Sequence, residues 1–481
     1  MRFRQIQQIM GIFLLIFSLT LIIPMLMSIG YDDGQLLDFV DSFMVASIAG
    51  LVLWLPVRNV RAELRAREGF IIVALFWAVF GMISALPFII GPHLSFTDSV
   101  FESISAFTTT GATVIVGLDH LPPSVLFYRQ QLQWYGGMGI VVLAVAVLPM
   151  LGVGGMQLYR AETPGPAKDE KIAPRIVRSA QTLWLIYVAM TVACALLYWI
   201  AGMSLFDAVG HAFSTISTGG FSTHDASMAY FNNPWIEVIA IVFMLMGAIN
   251  FGVHFMVLKG RSPRYYLRDT EVRVFLIFVS ILILVITIRL MQAGVHTSFF
   301  EALRYASFTL VSVVTSTGFA TEDFSVWPLS LPALLILSSF VGGCAGSTAG
   351  GMKVVRFIIL IKQGKREIDH LIHPRMVGEL KVGGRVVSER IMSAVWGFFA
   401  AYVGVFSIIM LLLMATGLDQ VTAFSAVATC MNNLGPGLGE VTSNFVVVSD
   451  TAKWLLSLAM LMGRLEIFTL LVLLMPEFWS S

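Results

Sequence analysis

The chain has 481 residues, 57% of them hydrophobic and only 12% charged, with a mean hydropathy of +0.84. Soluble domains are about a quarter charged, so a deficit spread along the whole length excludes an ordinary water-soluble fold and makes lipid the solvent. A formal net charge of +1 gives no reason to expect a nucleic-acid partner, and the three cysteines (Cys194, Cys344, Cys430) are too far apart for a disulfide framework or a metal-ligand spacing.

The N-terminus reads Met-Arg-Phe-Arg and runs into a long apolar stretch without a small-residue cleavage site, the pattern of a retained first span. A helix needs about 20 apolar residues to cross the hydrocarbon. Ten stretches qualify: 9–30, 37–57, 70–91, 130–154, 181–201, 235–258, 273–293, 332–362, 391–415 and 452–475. With the N-terminus inside, the inner segments are 1–8, 58–69, 155–180, 259–273 and 353–390. They hold all but five of the 30 Lys and Arg residues, the exceptions being Arg129, Arg289, Arg304, Lys453 and Arg464. That bias orients the chain with both termini cytoplasmic. The two longest basic loops, 155–180 and 353–390, suit anionic lipid headgroups.

Four outward-facing connections are too short to span, and each ends in a Thr-, Asn- or Gly-rich turn. They run from Phe96 through Thr-Thr-Thr-Gly111-Ala-Thr, from Phe206 through Gly-Gly220-Phe-Ser-Thr-His, from Phe300 through Ser-Thr-Gly318-Phe-Ala-Thr, and from Asp419 through Asn-Asn-Leu-Gly435-Pro-Gly. The internal repeat is span, short helix, glycine turn, span. Asp98 and Asp207 each stand thirteen residues before Gly111 and Gly220, which fixes the register of the first two repeats; the fourth is the most diverged. Two leading spans thus precede four pseudo-repeats of an all-α integral membrane protein. The divisions are 1–69 for the leading pair, then 70–180, 181–271, 272–390 and 391–481 for the repeats.

Irregular backbone at membrane depth is tolerated where it is buried in protein or lines a watery cavity. Carbonyl oxygens gathered round an axis can replace the water of a desolvated cation. Glycine reaches positive φ without a Cβ penalty and can turn successive carbonyls toward one line. Thr110, Thr218 and Thr317 are placed to add hydroxyl oxygens. The short helices would aim their partially negative C-termini at the ion. Asp98, Asp207, Glu301 and Asp419, near the helix starts, read as N-terminal caps.

These loop motifs resemble those of the TrkH/TrkG/KtrB superfamily of potassium transport proteins, and the resemblance extends over essentially the whole chain. It implies K⁺ as the transported ion, bound at Thr110, Gly111 and Ala112 of the first loop, Thr218, Gly220 and Phe221 of the second, Thr317, Gly318 and Phe319 of the third, and Gly435 and Pro436 of the fourth. It also implies one pore per subunit, a homodimer in the inner membrane of a bacterium, and a cytoplasmic nucleotide-binding regulatory subunit of the TrkA type. No organic cofactor is expected. Leu434 stands where the first and third loops have threonine, which breaks strict fourfold equivalence.

The span 332–362 is anomalous. As one straight helix it would be about 46 Å long, well beyond a core of about 30 Å. Its middle holds Gly342, Gly343, Gly346, Gly350 and Gly351, and each glycine in a helix costs about 1 kcal/mol relative to alanine. A broken helix with a flexible intramembrane loop over 342–353 is expected, placed below the third turn as a gate. Glycines that merely let helices pack closely are the alternative.

Arg464, near the middle of the last span, is expensive at that depth. It suits either a role beneath the loops, as cation barrier or anchor of the glycine segment, or a structural pairing with a carbonyl or with Glu466. Asn250 and His254, four apart, share one helix face and either line an inner cavity or form a packed polar contact. The competing class is an ion-coupled alternating-access transporter of K⁺ or Na⁺. Such proteins commonly have inverted repeats, whereas these repeats run parallel. An enzyme is not expected: metalloprotease and serine-hydrolase motifs are both missing.

Overall fold

In the computed structural model, which describes residues 3–60, 66–142, 172–328, 330–374, 378–465 and 467–479, the chain is almost entirely α-helical. The one hairpin among the described residues joins Lys381–Val382 to Arg385–Val386 through Gly383 and Gly384, at φ +59° and +80°. Two glycines at positive φ suit a two-residue turn between antiparallel strands.

Six described stretches are long and apolar enough to cross a membrane, and two bent helix pairs make eight. The expected crossing 130–154 begins in helix Pro123–Val142 and continues outside the described residues, as does most of the inner loop 155–180. The expected crossing 332–362 is broken into Leu331–Ser339 and Val354–Ile372, with irregular backbone between them.

Two further breaks differ from the expectation of single straight spans. The stretch 235–258 is Pro234–Ala248 followed by Phe251–Gly260, bent by 99°, and 452–475 is Asp450–Arg464 followed by Ile467–Leu474, bent by 111°. At the first break the freed backbone groups find partners in the glycine segment. Ala248 O accepts Cys344 N at 2.8 Å, and Phe251 N donates to Gly346 O at 3.1 Å. A helix can break at membrane depth only where such partners exist.

The leading helices Phe3–Thr20 and Leu36–Trp54 pack through glycines. A Cβ on Gly11 would lie 2.9 Å from Gly50 O, so both must be small for the backbones to meet. Helix Thr270–Gln292 shows why the spans carry little amphipathic signal. Ile277, Ile281 and Leu284 are exposed on its outer face, while Phe275, Val279 and Ile286 are buried on the inner one. Both faces are apolar because one meets lipid and the other protein.

Four short helices fill the interior: Phe96–Phe107, Leu205–Ile216, Phe299–Val314 and Gln420–Met431. The second packs on Pro123–Val142 of the first repeat, the third on Pro234–Ala248 of the second, and the fourth on Leu331–Ser339 of the third. The first packs on Asp450–Arg464 of the fourth repeat, closing a ring. The expected caps shift by a few residues. Ser95 and Ser204 are the N-caps of the first two helices, accepting Asp98 N at 3.1 Å and Asp207 N at 3.0 Å. Asp98, Asp207 and Glu301 instead occupy first turns, where the positive helix end favours a carboxylate. Asp419 does cap its helix, accepting Val421 N at 2.9 Å.

Candidate functional site: four converging loops

All four short helices end the same way. The amide of Thr110, Gly219, Thr317 or Leu434 donates to a carbonyl five residues back at 2.8 Å, and the preceding amide donates three residues back at 3.0–3.2 Å. This pair of bonds is the Schellman closure, which needs a left-handed residue at the penultimate position. Here those residues are Thr109, Thr218, Ser316 and Asn433, with φ between +51° and +55°. Glycine would adopt that conformation freely; a β-branched threonine does so at a cost, and its recurrence marks a constraint on the site. Two residues later comes a positive-φ glycine in every loop: Gly111, Gly220, Gly318 and Gly435.

This geometry fixes the register. Thr110 and Thr317 align with Gly219 and Leu434, and Thr218 aligns with Thr109, Ser316 and Asn433. The expected hydroxyl set Thr110, Thr218 and Thr317 is therefore one residue out of step in the second loop. Thr218 Oγ1 turns to Ser217 O at 2.7 Å and Thr348 Oγ1 at 3.2 Å, and Thr110 and Thr317 pair with Thr108 and Thr315.

The loops meet one another. A Cβ on Gly111 would fall onto Gly219 O, one on Gly220 onto Thr317 O, one on Gly318 onto Leu434 O, and one on Gly435 would lie 2.8 Å from Thr110 O. The contacts go once round in the same rotational sense and close. Only a residue without a side chain fits at each of the four crossings. Ala112, Phe221 and Phe319, which follow the crossing glycines, are buried, and Pro436 Cδ would lie 2.8 Å from a Cβ on Gly318.

The segment 340–353 lies against the C-terminal ends of the second, third and fourth short helices and is linked to the first through Arg464. Thr348 Oγ1 donates to Ile216 O and to Gly247 O, both at 3.0 Å. Gly350 N donates to Ser316 Oγ, and a Cβ on Gly350 would collide with Asn432 O. Arg464, 6% exposed, completes the set: its guanidinium donates to Thr108 O, to Thr109 O at 3.2 Å, to Thr109 Oγ1 and to Thr348 O at 2.9 Å. Its partners are thus carbonyls of both the first loop and the glycine segment; Glu466 lies outside the described residues. Gly342, Gly346 and Gly351 have φ of +66°, +74° and +76°, and Gly343 packs against Ala248 and Ala349. Most of the segment is buried and hydrogen-bonded, and Glu271 anchors it, accepting Ala345 N at 2.8 Å and Val355 N at 3.1 Å.

The cation transport protein family TrkH has a family model that matches residues 36–481 of this chain. The chain belongs to the TrkH family. Similar proteins include the Trk system potassium uptake proteins TrkH of Vibrio parahaemolyticus and Escherichia coli K12, each 54% identical over the full length of both chains. The Trk system potassium uptake protein TrkG of E. coli K12 is 42% identical over 99% of each chain. The crystal structure of the potassium transporter TrkH from V. parahaemolyticus superposes with a TM-score of 0.93 at 52% identity over all of both chains.

Several tie residues in this TrkH-family fold escaped the sequence reading. Arg129 pairs with Glu102 at 2.8 Å, Arg304 with Glu237 at 2.5 Å, and Lys453 with Asp98 at 2.6 Å. All three cations belong to the five that violated the inner-side bias, so that short roll of exceptions was the available signal. Asn433 also went unnoticed: its Nδ2 donates to Thr110 Oγ1 at 2.9 Å and to Met460 O at 3.0 Å, tying the fourth loop to the first. Asn250 and His254 form packed contacts. Asn250 caps Phe251–Gly260, and the His254 ring nitrogens lie 2.7 Å from Tyr266 Oη and 2.9 Å from Met246 O.

Proposed function

We propose that this chain carries K⁺ across the inner membrane of a bacterium through a single pore, with the four glycine crossings as its selective constriction. The closed ring of contacts among Gly111, Gly220, Gly318 and Gly435 carries the reading. Four helix C-termini directed at one centre favour a cation without any buried carboxylate. Thr110, Ala112, Phe221, Thr317, Phe319 and Pro436 complete the constriction, and Thr218 serves below it. The relatives' printed name, potassium uptake protein, supplies the ion.

The glycine segment 342–353, with Arg464, is the gate. It touches the lower ends of three short helices and is tied to the first through Arg464, so an ion leaving the constriction on that side meets buried protein instead of water. A cytoplasmic regulatory subunit of the TrkA type would act on it through the basic helix Val354–Ile372, which continues directly from the segment. The working form is a homodimer in lipid, with both termini cytoplasmic. The common rotational sense of the four crossings is that of parallel repeats and speaks against inverted-repeat alternating access.

Reconstituted flux tests the reading. Deleting 345–349 should raise K⁺ flux in vesicles made without any partner protein. Equal or lower flux from correctly folded protein would reduce the segment to packing.

A further inference from the structure

Nine residues before each crossing glycine, the short helix presents one side chain toward the back of its own loop. Those residues are Glu102, His211, Thr309 and Ala426. Two residues after the glycines stand Thr113, Ser222, Ala320 and Gly437. In the first repeat Thr113 Oγ1 donates to Glu102, 3.0 Å from each carboxylate oxygen, and Val114 N donates to Glu102 Oε2 at 2.9 Å. In the second, His211 Nε2 lies 2.9 Å from Ser222 Oγ. The third and fourth loops carry no side-chain polar group two residues after the glycine, and the Thr309 hydroxyl has no hydrogen-bond partner. The third and fourth loops are tied to their helices through other positions, Ser312 Oγ donating to Phe319 O at 2.7 Å and Ser425 Oγ accepting Leu438 N at 2.9 Å, so the tether from this helix position is made in the first two loops.

Arg129 joins those two loops. Its Nε donates to Glu102 at 2.9 Å, and its terminal nitrogens reach Thr113 Oγ1 at 3.1 Å and Ser222 O at 3.4 Å. Its guanidinium lies 4.1 Å from the centre of the Phe221 ring. One turn along the same helix, Gln133 grips the second loop from both sides. It donates to Gly219 O at 2.6 Å and accepts Phe221 N at 3.1 Å. Glu102 is fully buried and Arg129 is 1% exposed. Withdrawing two such charges from water largely cancels their attraction, so a buried pair is poor value as a stabiliser and is better understood as fixing a geometry.

We propose that the buried Glu102–Arg129 pair is a positioning device that locks the first two loops in register behind the constriction and so sets how sharply K⁺ is separated from Na⁺. This rests on the constriction reading above. The pair is neutral overall and does not contribute a charge to the ion. It holds residues 113–114 and 221–222 against displacement when a smaller, more strongly hydrated cation pulls the loops inward.

The test is the ratio of K⁺ to Na⁺ flux in proteoliposomes for Glu102→Gln and Thr113→Val, with Gly318→Ser as reference and size-exclusion profiles as the check of folding. Unfolded copies lower both fluxes together, and so does the bare Arg129 charge left by Glu102→Gln; only altered loop geometry moves the ratio. We expect Glu102→Gln to lower the ratio roughly threefold or more and Thr113→Val to lower it by less. If Glu102→Gln does not fold, Thr113→Val decides alone. An unchanged ratio in folded variants, with Gly318→Ser shifting it, overturns the positioning role and leaves the constriction intact. An unchanged ratio in Gly318→Ser as well would remove the constriction reading itself.

Discussion

Replacing Gly318 with alanine adds one methyl group at a crossing of two loops. The backbone there has φ +83°, which costs an L-residue about 1–2 kcal/mol. The new Cβ would also fall onto Leu434 O and lie 2.8 Å from Pro436 Cδ, where ordinary contacts begin at 3.4 Å. The fourth loop must therefore retreat by roughly 1 Å, and overpacking of this kind costs about 1–3 kcal/mol more. A total of about 2–5 kcal/mol is survivable for a protein of this size, but the strain falls on a carbonyl of the ring. Gly417→Ala is the control: φ is +105°, yet nothing lies within 4 Å, so the variant bears backbone strain alone. Thermal unfolding in detergent should show both variants destabilised, Gly318→Ala by more. Flux competition between K⁺ and Na⁺ should show altered preference only in Gly318→Ala. Parental preference in folded Gly318→Ala, or an equal change in Gly417→Ala, would refute the reasoning.

Arg464→Gln removes the charged link between Thr108, Thr109 and Thr348 and should raise partner-free K⁺ flux, by roughly tenfold for each 1.4 kcal/mol lost from the closed state; flux at or below the parental level would deny Arg464 a part in closure. The outer loops carry a pH-dependent tie. His224 lies between Asp119 at 2.5 Å and Asp207 at 3.4 Å and is stacked on Tyr230. Burial pulls its pKa down, but hydrogen bonds to Asp207 and Asp119 outweigh that and leave it above 6.5. For Asp207 burial acts upward, and bonds from His224, Thr223 and Ser204 overcome it, holding the carboxyl below 3.8; the His224 bond does the same for Asp119. A raised histidine stabilises fully below 6.5 and loses its effect as pH rises through its folded value, whereas depressed carboxylates stabilise above 3.8 and lose it on acidification. The melting-temperature gap between the parent and His224→Gln should therefore be widest between those two pH values and narrow toward pH 8; a gap that is flat or widens with pH would contradict the tie.

Much of this architecture is legible in residue order because the repeat recurs four times. The glycines at 111, 220, 318 and 435 mark equivalent backbone positions even where the neighbours differ, as with Leu434 in the fourth loop. The glycine-rich break in the eighth span is legible for the same reason: five glycines in ten residues oppose a helix on local grounds. The break after Ala248 is not. The sequence from Val238 to Leu258 is continuously apolar apart from Asn250 and His254, and its bend is settled by bonds to a segment about a hundred residues away. The alignment of Thr218 is not legible because two adjacent glycines, Gly219 and Gly220, offer two registers, and only the hydrogen bond from Gly219 N to Ser214 O chooses between them. The ties of Arg129, Arg304 and Lys453 depend on partners from 27 to 355 residues distant, which no local pattern reveals.

The central claim is that a dehydrated cation rests where the four loops cross. Crystals soaked in Rb⁺, a heavier stand-in for K⁺, would report its position by anomalous scattering. The account predicts Rb⁺ density on the axis enclosed by Gly111, Gly220, Gly318 and Gly435, displaced by excess K⁺. Density confined to the protein surface, or an empty centre at saturating Rb⁺, would contradict it.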